Sequence, residues 1–439
     1  MKLYSTNNPQ HEVSLKEAIF KGLPDDNGLY MPCKIDQLPQ HFFDNITQYS
    51  FQEIAYTVAR NFIYDEISDA DLKLIVEKAI NFPAPIVKIA DNSFILELFH
   101  GPSLAFKDFG ARFMAQLMSY YNSDEDKKLT ILVATSGDTG GAVANGFLKT
   151  PNIDIIILYP SNKVSDLQEK QLTTLGNNIT AVEIDGTFDD CQRLVKMAFL
   201  DTELTNAYRL SSANSINISR LIPQTFYYFE AYKQVLTSVD EKSPKVVFSI
   251  PSGNFGNLTA GLFAKKMGLP VYKFLAATNA NDIVPQYLNT GIFSPRPSIP
   301  TLSNAMDVGN PSNFSRMMDL YSSTWNYIKN DIVGYAYSDE ETKEAIREVY
   351  HNHSYTIDPH GAIGYLALKD FRAENIENDI EGVILETAHP AKFLDDMESI
   401  LDHTIEIPQK LEELKHKEKT SSLLSNNFSD FKKWLLERI

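Results

Sequence analysis

Cysteine is nearly missing from this chain. Cys33 and Cys191 are the only two, and neither lies in a C-x-x-C pair, so a disulfide framework and a thiolate zinc site are poorly supported. Positive charge is also scarce: 40 Lys and Arg against 57 Asp and Glu leave a formal net charge of -17. That balance argues against nonspecific nucleic-acid binding and provides no basic patch for a membrane surface. It still permits an anionic ligand, which local amides and a few cations can hold. No apolar run approaches the ~20 residues needed to cross a bilayer. The start, Met1-Lys2-Leu3-Tyr4-Ser5-Thr6-Asn7-Asn8, lacks the apolar core of a signal peptide. A soluble, cytoplasmic chain with no nucleic-acid or membrane partner is expected. His351-Asn352-His353 resembles a metal pair but has no further ligands at sensible spacing, so no metal is expected.

What is present is an ordinary soluble composition, 43% hydrophobic, in 439 residues, long enough for two or three domains. The character changes after Asn81-Phe82-Pro83-Ala84-Pro85, which separates residues 1–82 from a region spanning 83–405. Beyond that point short β-rich runs alternate with amphipathic segments. Strands are expected at Phe94–Leu98, Ile131–Ala134, Ile153–Tyr159, Thr180–Ile184, Val246–Ile250, Val271–Ala277 and Gly382–Glu386. Helices are expected at Phe188–Leu200, Ile218–Val235, Leu258–Met267, Glu340–His351 and Ala362–Phe371. This alternation indicates βαβ units and parallel sheets covered on both faces. Residues 406–439 read as a helical extension, with a charged helical face at Lys410–Lys419 and a polar hinge at Ser421–Asn427 before a last helix.

Three segments carry chemistry. In His100-Gly101-Pro102-Ser103-Leu104-Ala105-Phe106-Lys107-Asp108-Phe109-Gly110, one lysine stands among aromatics and glycines just after a strand. Lost hydration disfavours its ammonium and frees a nucleophilic amine, able to form a Schiff base with a carbonyl compound. Taken alone, such a lysine is more often a snorkelling surface residue. In Ser252-Gly253-Asn254-Phe255-Gly256-Asn257 a buried strand runs through a glycine-containing loop into a helix start, where converging N–H groups and the helix dipole suit a phosphate. This loop lacks the lysine of a nucleotide-binding P-loop and the spacing of a dinucleotide fingerprint. Thr135-Ser136-Gly137-Asp138-Thr139-Gly140-Gly141 has the same build, with hydroxyls added. Two anion cradles and a candidate Schiff-base lysine together imply a phosphorylated cofactor and an anionic substrate at the carboxyl ends of parallel strands.

The set of segments closely resembles the threonine synthase family, pyridoxal-phosphate (PLP) enzymes of the tryptophan-synthase-β fold type. The resemblance extends to Tyr4-Ser5-Thr6-Asn7, Gly28–Pro32, Asn214–Arg220, Asp358-Pro359-His360-Gly361 and Glu386–Phe393, nearly the whole chain. It implies an α/β fold of PLP fold type II, with parallel-dominated sheets flanked by helices, two catalytic subdomains within 83–405 and a small N-terminal α+β domain. It also implies conversion of O-phospho-L-homoserine and water to L-threonine and phosphate. Carried over by position, Lys107 would hold PLP and shuttle protons. Gly253, Asn254, Phe255, Gly256 and Asn257 would cradle the cofactor phosphate, and Thr387 would meet the pyridine nitrogen. Asp138 falls where relatives across the fold type often use Asn beside the cofactor's 3′ oxygen, although a carboxylate would repel a phenolate there. Thr135, Ser136, Thr139, Asn214 and Arg220 would bind the substrate phosphate; without the resemblance, Arg220 reads as a surface ion pair. A monomer or homodimer is expected. Two other readings compete: a β-eliminating or β-replacing enzyme for serine-like substrates, and a non-catalytic binder that has kept the fold.

Overall fold

Short, mainly apolar runs rich in Val, Ile and Leu and buried along their entire length, as in Leu129–Ala134 and Val246–Pro251, suit strands covered on both faces. The computed structural model, which describes residues 1–63, 66–123, 127–241, 243–375 and 379–438, builds its sheets from such runs. Near the N-terminus lie β1 (Lys2–Ser5), β2 (Asn8–Ser14) and β3 (Tyr30–Pro32), then the hairpin β4 (Ile86–Ala90) and β5 (Ser93–Glu97). Next come β6 (Leu129–Ala134), β7 (Ile153–Pro160), β8 (Ile179–Asp185) and β9 (Arg209–Ser212). The last are β10 (Val246–Pro251), β11 (Val271–Thr278), β12 (Ile332–Ala336), β13 (Glu381–Glu386) and β14 (Ser422–Ser425).

Among the described residues they form three sheets. A small antiparallel sheet is ordered β2-β1-β3. A six-stranded sheet, β12-β11-β10-β13-β5-β4, is parallel except for β4. A five-stranded sheet, β14-β8-β7-β6-β9, is parallel throughout. The chain therefore enters the larger sheet, leaves to build most of the smaller one, and returns. Strand ends far apart in sequence are thereby brought together.

All seven expected strands are present, most extended by a residue or two. The short strands β9, β12 and β14 carry little signal, because RLSS, IVGYA and SLLS are brief, partly polar runs. The expected hinge at 421–427 is in part a strand: Ser422–Ser425 pairs in parallel with Val182–Asp185 of β8. A free strand edge there supplies hydrogen bonds that no local pattern announces. Helix Phe188–Leu200 has the expected bounds, set by a capping box between Thr187 and Asp190. The segment expected as one helix from Ile218 is instead Ile218–Leu221, a 3₁₀ turn Ile222–Thr225 and Phe226–Ser238, with Pro223 removing the backbone donor that continuity needs. Among the described residues no helix is long and apolar enough to cross a membrane.

Candidate active site

Four strand ends converge on Lys107. The residue opens helix Lys107–Tyr121 after a loop from β5 that the segment following β13 pins in place. Phe106 N–H donates to the Thr387 carbonyl at 2.9 Å and His389 N–H to the Leu104 carbonyl at 3.0 Å, around a bridge between Ala105 and Ala388. Leu104 is held at φ 56°, uncommon outside glycine. Asp108, fully buried, accepts from Ser103 N–H at 2.8 Å and fits only because Gly101 lacks a Cβ, which would fall 2.3 Å from its Oδ2. Burial pushes the Asp108 carboxyl up to about 6, against the hydrogen bonding at Ser103.

The centre of the site is a chain of three charges. Lys107, 17% exposed, lies 3.3 Å from Asp138 Oδ2, and Lys392, wholly enclosed, lies 2.6 Å from Asp138 Oδ1. Lys392 also donates to the Ser103 carbonyl at 2.9 Å, and Gln168 Nε2 donates to Asp138 Oδ1 at 3.0 Å. Burial lowers the proton affinity of the Lys107 amine; Asp138 opposes this, while Lys392 and Arg220 reinforce it. Burial alone would raise Asp138, but Lys392 and then Lys107 outweigh it and hold the carboxyl well below the usual range. Asp138 is thus an ionised carboxylate held between two lysines. Repulsion of a phenolate, the difficulty raised by the sequence, is offset by this local positive charge.

Both cradles stand at strand ends. Residues 252–255 link β10 to helix Gly256–Lys266, with Phe255 in the left-handed region at φ 59°. At Gly253 a Cβ would fall 2.7 Å from the Met306 Cα, so the cradle admits no side chain. Asn257 Oδ1 accepts from the Tyr227 and Tyr228 hydroxyls at 2.6 and 2.7 Å, while its buried Nδ2 has no partner. An orphaned donor beside a closely packed turn at a helix start is what a bound phosphate oxygen would satisfy. Asn254 faces the loop beyond: its Nδ2 donates to Ser215 Oγ at 2.7 Å, and its Oδ1 accepts from Ser312 N–H at 2.6 Å. Thr387 is buried at the end of β13 and holds the lysine loop through its carbonyl.

In the other cradle Thr135 Oγ1 accepts from the N–H groups of Gly137 and Gly140 at 3.0 and 2.9 Å. Its hydroxyl thus shapes the turn, whereas Ser136 is exposed and Thr139 half-buried. Arg220 is not the surface ion pair that sequence alone favoured. It is 1% exposed, with Nη1 on the Ala213 carbonyl at 2.5 Å and its buried Nε unpartnered. It packs against Gly110, one helical turn beyond Lys107, where a Cβ would fall 2.8 Å from the Arg220 carbonyl oxygen. Burial lowers its pKa to about 10, with Asp108 opposing. The buried, unpartnered Asn214 Oδ1 lies in the segment leading to it.

Sequence reasoning missed Lys392, Gln168 and Asp108 as members of this site. Lys392 carried the same signal as Lys107, a lysine flanked by apolar residues in Ala391-Lys392-Phe393. Asp358, His360 and Glu386 form a further buried polar group. Asp358 accepts from the His360 ring at 2.6 Å, and its N–H donates to Glu386 Oε1 at 2.6 Å. Burial and the neighbouring Asp358 push Glu386 well above the ordinary carboxyl range.

These residues fit PLP: an amine of lowered proton affinity, a phosphate-sized cradle with an orphaned donor, and a hydroxyl residue at the end of β13. Comparison with known proteins agrees. Residues 82–386 match the family of pyridoxal-phosphate-dependent enzymes, residues 2–80 the threonine synthase N terminus and residues 361–434 the threonine synthase C-terminal family. The threonine synthase of Haemophilus influenzae is 44% identical over 438 residues, covering all of both chains. The crystal structure of Escherichia coli threonine synthase superposes with a TM-score of 0.92 at 44% identity, again covering all of both chains. A PLP-bound threonine synthase from Brucella melitensis gives a TM-score of 0.91 at 34% identity, covering 100% of this chain and 99% of that one. The chain belongs to the threonine synthase family of PLP-dependent lyases, and its cofactor is pyridoxal phosphate.

Proposed function

We propose that the chain converts O-phospho-L-homoserine and water to L-threonine and phosphate, the last step of threonine biosynthesis. The observation that carries the substrate assignment is Arg220. A guanidinium buried one helical turn from the reactive lysine, with no carboxylate ion pair among the described residues, is a costly arrangement. A dianionic phosphate at that place would relieve it through paired charge-assisted hydrogen bonds. Serine-like substrates carry no such group, so the serine reading leaves Arg220 unexplained. A non-catalytic binder leaves the lowered proton affinity of Lys107 unexplained.

PLP supplies an electron sink that acidifies the α and β carbons of an amino acid. Lys107 would hold it, with Gly253, Asn254, Phe255, Gly256 and Asn257 around its phosphate. Thr387 would meet its pyridine nitrogen with a neutral hydroxyl, and Asp138 would lie at its 3′ oxygen. Lys107, its ammonium disfavoured by burial, takes the α proton and later returns it. Arg220 and Asn214, with Thr139 and Ser136 at the mouth of the Thr135 turn, hold the substrate phosphate until it leaves from the γ carbon. Loss of a β proton accompanies departure of the phosphate, the γ carbon takes up a proton to become the methyl group, and water adds its hydroxyl at the β carbon. Every assigned residue lies in one chain, so a monomer suffices and a homodimer would leave the site intact; a cytoplasmic location fits the reaction.

The test is product analysis after incubating protein and PLP with O-phospho-L-homoserine. Phosphate and threonine in equal amounts are expected. Phosphate with 2-ketobutyrate would make the enzyme an eliminase, and faster deamination of serine would overturn the substrate assignment.

A further inference from the structure

The lysine that the reaction needs neutral sits beside a carboxylate, and a carboxylate ordinarily holds a neighbouring amine protonated. Something must weaken that hold. Lys392 is placed to do so. It is enclosed on all sides, it makes the shorter of the two ion pairs with Asp138, 2.6 Å against 3.3 Å for Lys107, and its second hydrogen bond to the Ser103 carbonyl fixes it there. The two lysines reach Asp138 from different elements. Lys107 begins the helix after β5, Lys392 lies in the turn Pro390–Phe393 after β13, and Asp138 begins helix Asp138–Phe147 of the other sheet. Gln168 Nε2 donates to the same Oδ1 that Lys392 holds, leaving Oδ2 alone to Lys107.

We propose that Lys392 is a positioning residue for Lys107: it binds the Asp138 carboxylate as its principal counter-ion and so loosens the hold of that carboxylate on the Lys107 amine. Other charged or titratable groups face this cluster. Arg220 acts on Lys107, Asp108 and His389 feel Lys392, and His360 acts on Asp138. Arg220 and Lys392 both disfavour a third positive charge at Lys107. Asp138 favours it. Removing Lys392 therefore leaves Asp138 with Lys107 as its only lysine partner and should tighten the grip on that proton. Removing the Asp138 charge should loosen it. The two substitutions act in opposite directions on one amine, which a merely structural role for Lys392 does not produce.

The inference rests on Lys107 being the reacting amine, but its test does not depend on turnover. On the full-length apoprotein, Lys107 would be labelled with limiting acetic anhydride across a pH series and its peptide quantified by mass spectrometry. This reports the amine's own titration. In parallel, the pH at which the visible absorption of the PLP-loaded protein changes would be recorded. Lys392→Met should move the labelling profile of Lys107 to higher pH, so that the neutral fraction at pH 7 falls about tenfold for each pH unit moved. Asp138→Asn should move it to lower pH. An unmoved profile in Lys392→Met, or movement of both variants in one direction, overturns the proposal. Should Lys392→Met fail to fold, Lys392→Gln takes its place: movement of the Lys107 profile to higher pH supports the proposal, and no movement or the reverse overturns it. A labelling shift as expected, in protein that forms no threonine, would leave the proposal standing and fault the substrate assignment instead.

Discussion

At the scale of single residues the site is built from groups kept in unfavourable protonation states, and Asp108 shows the consequence for stability. Its carboxyl is raised from an ordinary 3.8 to about 6, with burial as the main cause. Between those two values the folded protein retains a proton that the unfolded chain has released. Stability therefore falls as pH rises through that window, and the loss is complete above it, by ~3 kcal/mol at most. Asp108→Asn keeps an oxygen for Ser103 N–H and removes the titration. Urea unfolding of the variant and the parent at pH 4 and pH 7 should show the variant gaining stability relative to the parent at the higher pH. An equal difference at both values would mean that Asp108 is ionised in the folded protein throughout. Part of this chemistry was legible in the sequence. Lys107 stood out because a lysine between phenylalanines after a strand is a local pattern, and the glycines of both cradles mark turns that only glycine permits. The partnership of Asp138 with Lys392 was not legible, since it joins a segment after β6 of one sheet to a segment after β13 of the other. Without the resemblance Arg220 reads as a surface residue for the same reason: its neighbour Gly110 lies on a helix far away in the chain.

At the scale of elements the outer edge of the five-stranded sheet is closed by the chain's own C-terminus. β14 caps β8, and helix Phe428–Leu436 lays Phe431 and Leu435, both fully buried, on a small core that includes Cys191, Leu194, Val195 and Leu204. The strand is four residues long and only partly buried, so its place is set mainly by that helix. Phe431→Ala would remove a fully buried ring and cost ~3–5 kcal/mol by lost burial and cavity formation. Because β8 and β7 separate this edge from β6, which bears the Thr135–Gly141 turn, the turnover number at 25 °C should be unchanged while the thermal midpoint falls. A fall in turnover with an unchanged midpoint would reverse that assignment. Such edges explain where sequence reading stops. β6, β7, β10 and β13 are continuous apolar runs because both faces are covered, and the pattern identifies them directly. SLLS of β14 and RLSS of β9 become strands because a neighbour offers an unpaired edge, which is information carried by the neighbour.

At the scale of the whole molecule the two parallel sheets divide the labour. Lys107, Lys392, the 252–257 loop and Thr387 all follow strands of the six-stranded sheet, so the groups assigned to the cofactor, Asp138 excepted, belong to one half. Thr135, Ser136, Thr139, Asn214 and Arg220 follow β6 and β9 of the other half. The Lys107–Asp138–Lys392 chain of charges, Gln171 Nε2, which donates to the Ser103 carbonyl at 3.2 Å, and Asn254 Nδ2, which donates to Ser215 Oγ at 2.7 Å, tie the two halves at the site. A ligand held by one half alone stabilises that half, and a ligand gripped by both also opposes their separation. Amide exchange followed by mass spectrometry separates these cases. PLP alone should protect residues 252–257 and 387–389 while leaving 214–220 exchanging nearly as in the apoprotein. Adding inorganic phosphate to the PLP-loaded protein should then protect 135–141 and 214–220. Protection of 214–220 but not of 252–257 by PLP alone would exchange the roles of the two cradles. Protection of neither segment by phosphate would leave the unpaired guanidinium of Arg220 without the anion that its burial calls for.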